Sequence, residues 1–269
     1  MKIIYLLHRS GLARLSVGPA KAEREAGGKG RREMLLNVVH AALAGRHARF
    51  AEGEGRALRY LDTVAPFAGV PDDPAEQDWR DLATLVRRTG GAALHREPGV
   101  PLDAWAADHR IDLHRMTVVQ FSGAGLGAGP ADAADPEIRE LTVADVPAMS
   151  DLAERTRPGP FGERTIELGG YLGIWRDGVL AAMAGERFSA PDGGGRGWTE
   201  VSAVCADPAF RGQGLATRLI RAVAARIRAR GDEVFLHVID TNSGAIALYE
   251  RLGFSRLATV EVTRLTPRP

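Results

Sequence analysis

Apolar residues recur along this chain in two periods, and the places where the period changes divide it. Met34 to Leu43 carries apolar residues at helical spacing, and Asp78 to Arg88 repeats the pattern with Trp79, Leu82, Leu85 and Val86 before Gly90-Gly91 stops it. Short alternating stretches read as strands: Arg49 to Ala51 and Ala57 to Tyr60 as a hairpin around Glu52-Gly-Glu-Gly55, then Ala92 to His95, then Asp112 to Phe121. From Ser122 to Pro136 the periodicity vanishes into Gly, Ala and Pro, the composition of a linker.

Beyond the linker the pattern predicts a strand over 138–141, a helix over 142–153, a Pro/Gly loop at 158–162 and a short helix over 163–168. Strands follow over 171–175 and 179–188, joined by Arg176-Asp177-Gly178 as a hairpin turn, then a Gly-rich excursion over 189–197. Val201 to Ala206 is an apolar strand ended by Asp207-Pro208. From Leu215 a helix shows Leu219, Ile220, Val223 and Ile227 on one face. Val234 to Ile239 is apolar almost throughout, as befits a central strand covered on both faces. Ala245 to Leu252 is a helix, and 254–262 reads as a closing pair of strands. The organisation expected is an extension over 1–33 without order, a small α/β unit over 34–121, a linker over 122–136 and a larger unit over 137–269.

Composition alters this picture little. The 269 residues are 45% hydrophobic and 26% charged, ordinary values for a globular protein. The formal net charge of +1 hides an asymmetry: residues 1–33 hold eight Lys/Arg against three Glu, leaving the remainder at about −4. Nucleic acid would need a basic face on the folded part, so none is expected as a partner. Cys205 is the only cysteine, which excludes an internal disulfide framework. No run approaches the ~18 apolar residues of a membrane span. The stretch Ile3 to Leu7 is too short for a leader and is broken by His8-Arg9, so no membrane role is expected and the cytoplasm is the expected compartment. His109 and His114 do not have metal-ligand spacing, and no metal is expected.

The strongest local signal is a strand, a glycine turn and a helix in succession: Val201 to Ala206, Arg211-Gly212-Gln213-Gly214, and a helix opening at Leu215-Ala216-Thr217. Glycines let the backbone approach a ligand, and the first helical turn offers unpaired amides, so the unit is an anion site suited to phosphate. Arg211-x-x-Gly214-x-Ala216 resembles the pyrophosphate signature of the GNAT superfamily of acetyl-CoA-dependent N-acetyltransferases, with Ala216 where glycine is commoner. Alone the pattern is weak, since Arg88, Gly91 and Ala93 also satisfy it between a helix and a strand. A second element strengthens it: Asn242 to Phe254, ending in Tyr249-x-x-x-Gly253-Phe254, is similar to the helix that follows the central strand in that family.

The resemblance implies an α+β fold. Its mixed, mostly antiparallel twisted sheet is flanked by helices, with a degenerate GNAT-like unit before it and two central strands splayed to admit pantetheine. It implies acetyl-CoA as co-substrate, with Val204 and Ala206 meeting the pantetheine arm and Arg211, Gly212, Gln213, Gly214, Leu215, Ala216 and Thr217 the pyrophosphate. Asn242 would be a helix cap, a cofactor contact or both. Amide acylation needs a deprotonated amine and a protonated leaving thiolate. Glu200 is the candidate base and Tyr249 the candidate acid, against plainer roles as a solvated strand-end glutamate and a packed core tyrosine. Phe161 is the expected acceptor contact. Cys205 as nucleophile has no basic neighbour on its strand, which favours direct transfer in a ternary complex to a small-molecule or peptide amine. A non-catalytic acetyl-CoA-binding sensor or scaffold and an enzyme for a longer acyl-CoA are the rival readings; acceptor and oligomeric state are not readable.

Overall fold

Strands from both sides of the linker enter one sheet. The computed structural model describes residues 35–127, 135–191 and 196–269; the expected extension over 1–33, the middle of the linker and part of the excursion over 189–197 lie outside the described residues. The first half contributes helix α1 (Val38–Ala44), strands β1 (Ala51–Glu54), β2 (Ala57–Tyr60) and β3 (Phe67–Gly69), helix α2 (Glu76–Thr89), β4 (Ala92–Arg96), α3 (Asp103–Asp108) and β5 (Ile111–Ser122). The second half contributes β6 (Ile138–Glu140), α4 (Val146–Thr156), β7 (Tyr171–Arg176), β8 (Val179–Pro191), β9 (Gly197–Ala206), α5 (Leu215–Ala229), β10 (Glu233–Ile239), α6 (Ser243–Leu252) and β11 (Ser255–Pro267).

The sheet order is β1-β2-β3-β4-β11-β5-β10-β9-β8-β7-β6. Only the neighbours β3/β4 and β9/β10 are parallel, so the α+β fold with a mixed, mostly antiparallel sheet stands as expected. Two features were not foreseen. The closing pair of strands expected over 254–262 is one long strand, β11, with an irregularity between Arg256 and Ala258; Val260 and Val262 are buried on one face and Thr263 and Leu265 on the other. That strand also crosses the linker boundary: β11 lies between β4 and β5, and β5 lies between β11 and β10. The two halves therefore exchange strands rather than stand side by side.

Helix α5 shows why the second half has the deeper core. Leu215, Leu219, Ile220, Val223, Ala224 and Ile227 fall on one side and are buried, packed with Leu172, Leu236 and Tyr249 in the main apolar cluster. Burial of each such aliphatic side chain contributes about 1.5–3 kcal/mol. Helix α6 starts where the Asn242 side chain accepts from the Ala245 amide at 3.1 Å and ends at Gly253, whose φ is 97°. A Cβ at Gly253 would lie 2.3 Å from the Gly125 carbonyl oxygen, so the linker's first turn presses on this cap and excludes any side chain.

Candidate active site

Strands β9 and β10 begin side by side and then part. They pair from Trp198 to Glu200 against Glu233 to Phe235, after which β9 stays with β8 while β10 follows β5. A bulge in β9 sharpens the divergence: the register against β8 slips between Ser202 and Cys205, and Ala203 takes φ 51°. Strict alternation would place Val204 and Ala206 on one face and Cys205 on the other. After the bulge all three border one cavity of about 780 Å³ that passes through the fork.

At one end of that cavity lies the glycine turn. Asp207 accepts from the Ala209 amide at 2.8 Å and from Arg155, ending β9 in a short turn over Pro208–Phe210. Gly212 and Gly214 have φ of 79° and 73°, a region side chains rarely adopt, and Leu215 opens α5 directly after. A Cβ at either glycine meets nothing within 4 Å, so the turn faces open space rather than packed protein. The Arg211 side chain has no ion-pair or hydrogen-bond partner among the described residues. Arg218, by contrast, is committed to Asp135 and Glu137 at 2.7 and 2.6 Å.

Tyr249 and Asn242 of the α6 segment border the same cavity. Tyr249 is packed against Phe121 and Phe254, and its burial pushes the phenol up to about 12. Burial likewise pushes the Cys205 thiol up to about 11, so it carries almost no thiolate at neutral pH and is a poor nucleophile.

Glu200 sits where the strands part and is fully buried. A bulge in β8 sets Arg187 opposite it; the guanidinium donates to both carboxylate oxygens at 2.8 and 2.7 Å, and His237 Nδ1 donates to Oε1 at 2.8 Å. Burial by itself would raise the Glu200 pKa, but the Arg187 charge and hydrogen bonds, with His237, hold the carboxyl far below the usual range. A general base needs a free lone pair and a pKa near the working pH. Glu200 accepts three hydrogen bonds and its pKa lies far below that range, so the structure finds it in a buried ion pair rather than at a solvated strand end. Beside Glu200, Arg187 lies over the rings of Phe67 and Phe188, and His95 packs edge-on against His237.

Of the expected site residues, the cavity brings together Val204, Ala206, Arg211, Ala216, Asn242 and Tyr249, with Gly212 to Leu215 and Thr217 in the adjoining turn and helix start. Phe161 is not on its wall; its ring packs edge-on against Tyr171, and the preceding Thr156 to Pro160 line the cavity instead. The larger omission lies in the first half, which supplies Phe67, His95, Met116 and Val118, and in the exchanged strand β11, which adds Val262 and Arg264. Those residues sit on four different strands, and no local pattern joins them.

Residues 171–263 match the family model described as FR47-like protein. A solved structure described as a putative acetyltransferase from the GNAT family, from Novosphingobium aromaticivorans, is 32% identical, with 87% of this chain and 99% of that chain covered and a TM-score of 0.74. Several curated relatives bear the name mycothiol acetyltransferase, and two of them show the range of overlap. That from Catenulispora acidiphila is 28% identical over 81% of this chain and 57% of its own length. That from Thermobispora bispora is 48% identical over 23% of this chain and 21% of its own length. The chain thus spans from about a fifth to just over half of these two relatives.

Proposed function

Because the chain belongs to the GNAT family of acetyltransferases, we propose that it moves an acetyl group from acetyl-CoA to an amine by direct transfer in a ternary complex. The observation that carries this reading is the fork. Past Glu200 the β9 edge facing β10 has no strand partner among the described residues and borders a cavity with a glycine turn at one end and a buried tyrosine beside it. An unpaired strand edge is what the amides of a pantetheine arm require. The turn and the first amides of α5 offer the donors and positive end that a pyrophosphate requires, with Arg211 free to add charge.

In this reading Val204 and Ala206 pair with pantetheine through their backbone, and a main-chain amide of β9 polarises the thioester carbonyl. Tyr249 donates its proton to the departing sulfur. A phenol near 12 faces a thiol near ~8.5, an uphill transfer in water. The shielding that raises the phenol also destabilises the thiolate, so the gap narrows in the cavity. The acceptor enters from the opposite face of the sheet and loses its proton to water there. Glu200 holds Arg187 and His237 in place on that face, a positioning role in place of the expected general base.

Calorimetric titration with acetyl-CoA tests the donor site. The expected result is micromolar binding, weakened on the order of 100-fold by Gly214→Val, equivalent to about 2.8 kcal/mol. A Cβ at Gly214 meets nothing within 4 Å, so the cost to the fold is chiefly the strain of its φ, about 1–2 kcal/mol. Absence of binding by the folded wild-type protein would sink the reading.

A further inference from the structure

The charges on the acceptor side of the cavity do not balance. Four arginines face it: Arg59, Arg157, Arg187 and Arg264, with one carboxylate, Asp62. Two of the four are spoken for. Arg59 donates to Glu52 and Asp62, and Arg187 is held in the buried pair with Glu200. The side chains of Arg157 and Arg264 have no ion-pair or hydrogen-bond partner among the described residues. His95 does not add charge, because burial first, then the neighbouring His237 and Arg187, drive its pKa well below the ordinary value.

Between the fork and Arg264 the wall is apolar. Ile239 pairs with Val118 across β10 and β5, Val118 with Val260, and Met116 with Val262, two residues before Arg264 on the same strand face. Met116 and Ile239 are 40% and 46% exposed, which leaves this strip open for contact. Strand spacing sets a ruler. Arg264 lies two strands across and four residues along from the Ile239 row, roughly 16 Å between Cα positions, and roughly 10 Å once its side chain reaches inward.

Resting on the acetyltransferase reading, we propose that the acceptor is a small anionic amine, its amino group separated from a carboxylate by an apolar spacer of that order. The amine lies at the fork, the spacer lies along Met116, Val118 and Val262, and the carboxylate meets Arg264, with Arg157 on the facing loop adding positive potential. An arginine fork bonds a carboxylate in a bidentate manner.

The test uses matched amines: 4-(aminomethyl)benzoate against benzylamine, and 6-aminohexanoate against hexylamine, assayed by thiol release from acetyl-CoA. The carboxylated member of each pair should be favoured at least ten-fold in kcat/KM, chiefly through KM, with the preference shrinking in high salt. Arg264→Gln should bring the ratio close to unity and Arg264→Glu should invert it, while acetyl-CoA affinity stays as in the wild type. Arg264 is exposed, so both variants should fold. Equal or better use of the neutral amines, or a preference that survives charge reversal, overturns the proposal. Calorimetry of the four amines alone reads the same preference without turnover, so a failure of acetyl-CoA to bind counts against the functional reading and leaves the acceptor preference decided on its own.

Discussion

The two halves of the molecule contribute to one cavity in different ways. The second half offers backbone: a strand edge left unpaired, a turn with two glycines at positive φ, the amides that open α5. Such a site demands particular residues at particular spacings, because few residue types allow that backbone. The first half contributes side chains, Phe67, His95, Met116 and Val118, each on a strand whose local pattern says only that it is a strand. A backbone site is written in consecutive residues. A side-chain wall is written in the order of the strands, and here that order includes a strand, β11, that comes from the other half.

The sharpest way to strain this arrangement is at the point where the halves meet. Glu200 of β9 is bonded to Arg187 of β8 and His237 of β10, and His237 Nε2 lies 3.0 Å from the Gln120 side-chain nitrogen of β5. Glu200→Gln keeps the shape but leaves Arg187 buried without a counter-charge. Removing one partner of a buried pair costs about 3–5 kcal/mol. Urea unfolding at pH 7 should show a loss of that size. A loss below about 1 kcal/mol would mean that the pair is hydrated and that Glu200 is available as a base after all.

A milder contrast separates the halves by their response to acid. His47 of the first half is bonded through Nδ1 to the Tyr60 hydroxyl at 2.8 Å, and burial, then the charge of Arg49, pushes its pKa down to about 4. The unfolded chain binds that proton near ~6.5, so the stability from keeping His47 neutral is complete above pH 6.5 and is lost as pH falls toward 4. From pH 7 to pH 5 the loss is about 2 kcal/mol, and His95 acts in the same direction. Glu200 behaves differently: its depressed pKa contributes stability above the ordinary carboxylate range, lost only as pH falls below it. Denaturation curves at pH 7 and pH 5 should therefore differ by about 2 kcal/mol or more, and His47→Gln should remove much of that difference. Unchanged acid sensitivity in the variant would place the effect elsewhere.

What was legible in the sequence follows the same division. The order of strands and helices in the second half, the cap at Asn242 and the hairpin turn at Asp177-Gly178, with φ of 50° and 78°, all follow from local chemistry. The burial of Glu200 was not legible because its partners come from elsewhere in the sheet: Arg187 reaches it through a bulge thirteen residues earlier, His237 from a strand thirty-seven residues later. The packing of Phe161 was hidden for a related reason. A ring in a Pro/Gly loop fits a cavity wall or a neighbouring core equally well, and only the position of Tyr171 decides between them.

The smallest expected effect isolates the first half's share of the site. Met116 of β5 is 40% exposed on the cavity wall and pairs with Val262, so replacing it costs the core little. Met116→Trp puts bulk where the acceptor's body would lie, far from the glycine turn. Stability should stay within about 0.5 kcal/mol of wild type. Acetyl-CoA affinity should be unchanged, and KM for the amine should rise on the order of ten-fold, as expected when pocket shape changes by a ring. A matching loss of acetyl-CoA affinity would mean that the donor site extends across the sheet into the first half. An unchanged KM would mean that the acceptor enters along the Thr156–Pro160 loop instead, and the exchanged strand would then serve only to hold the fork open.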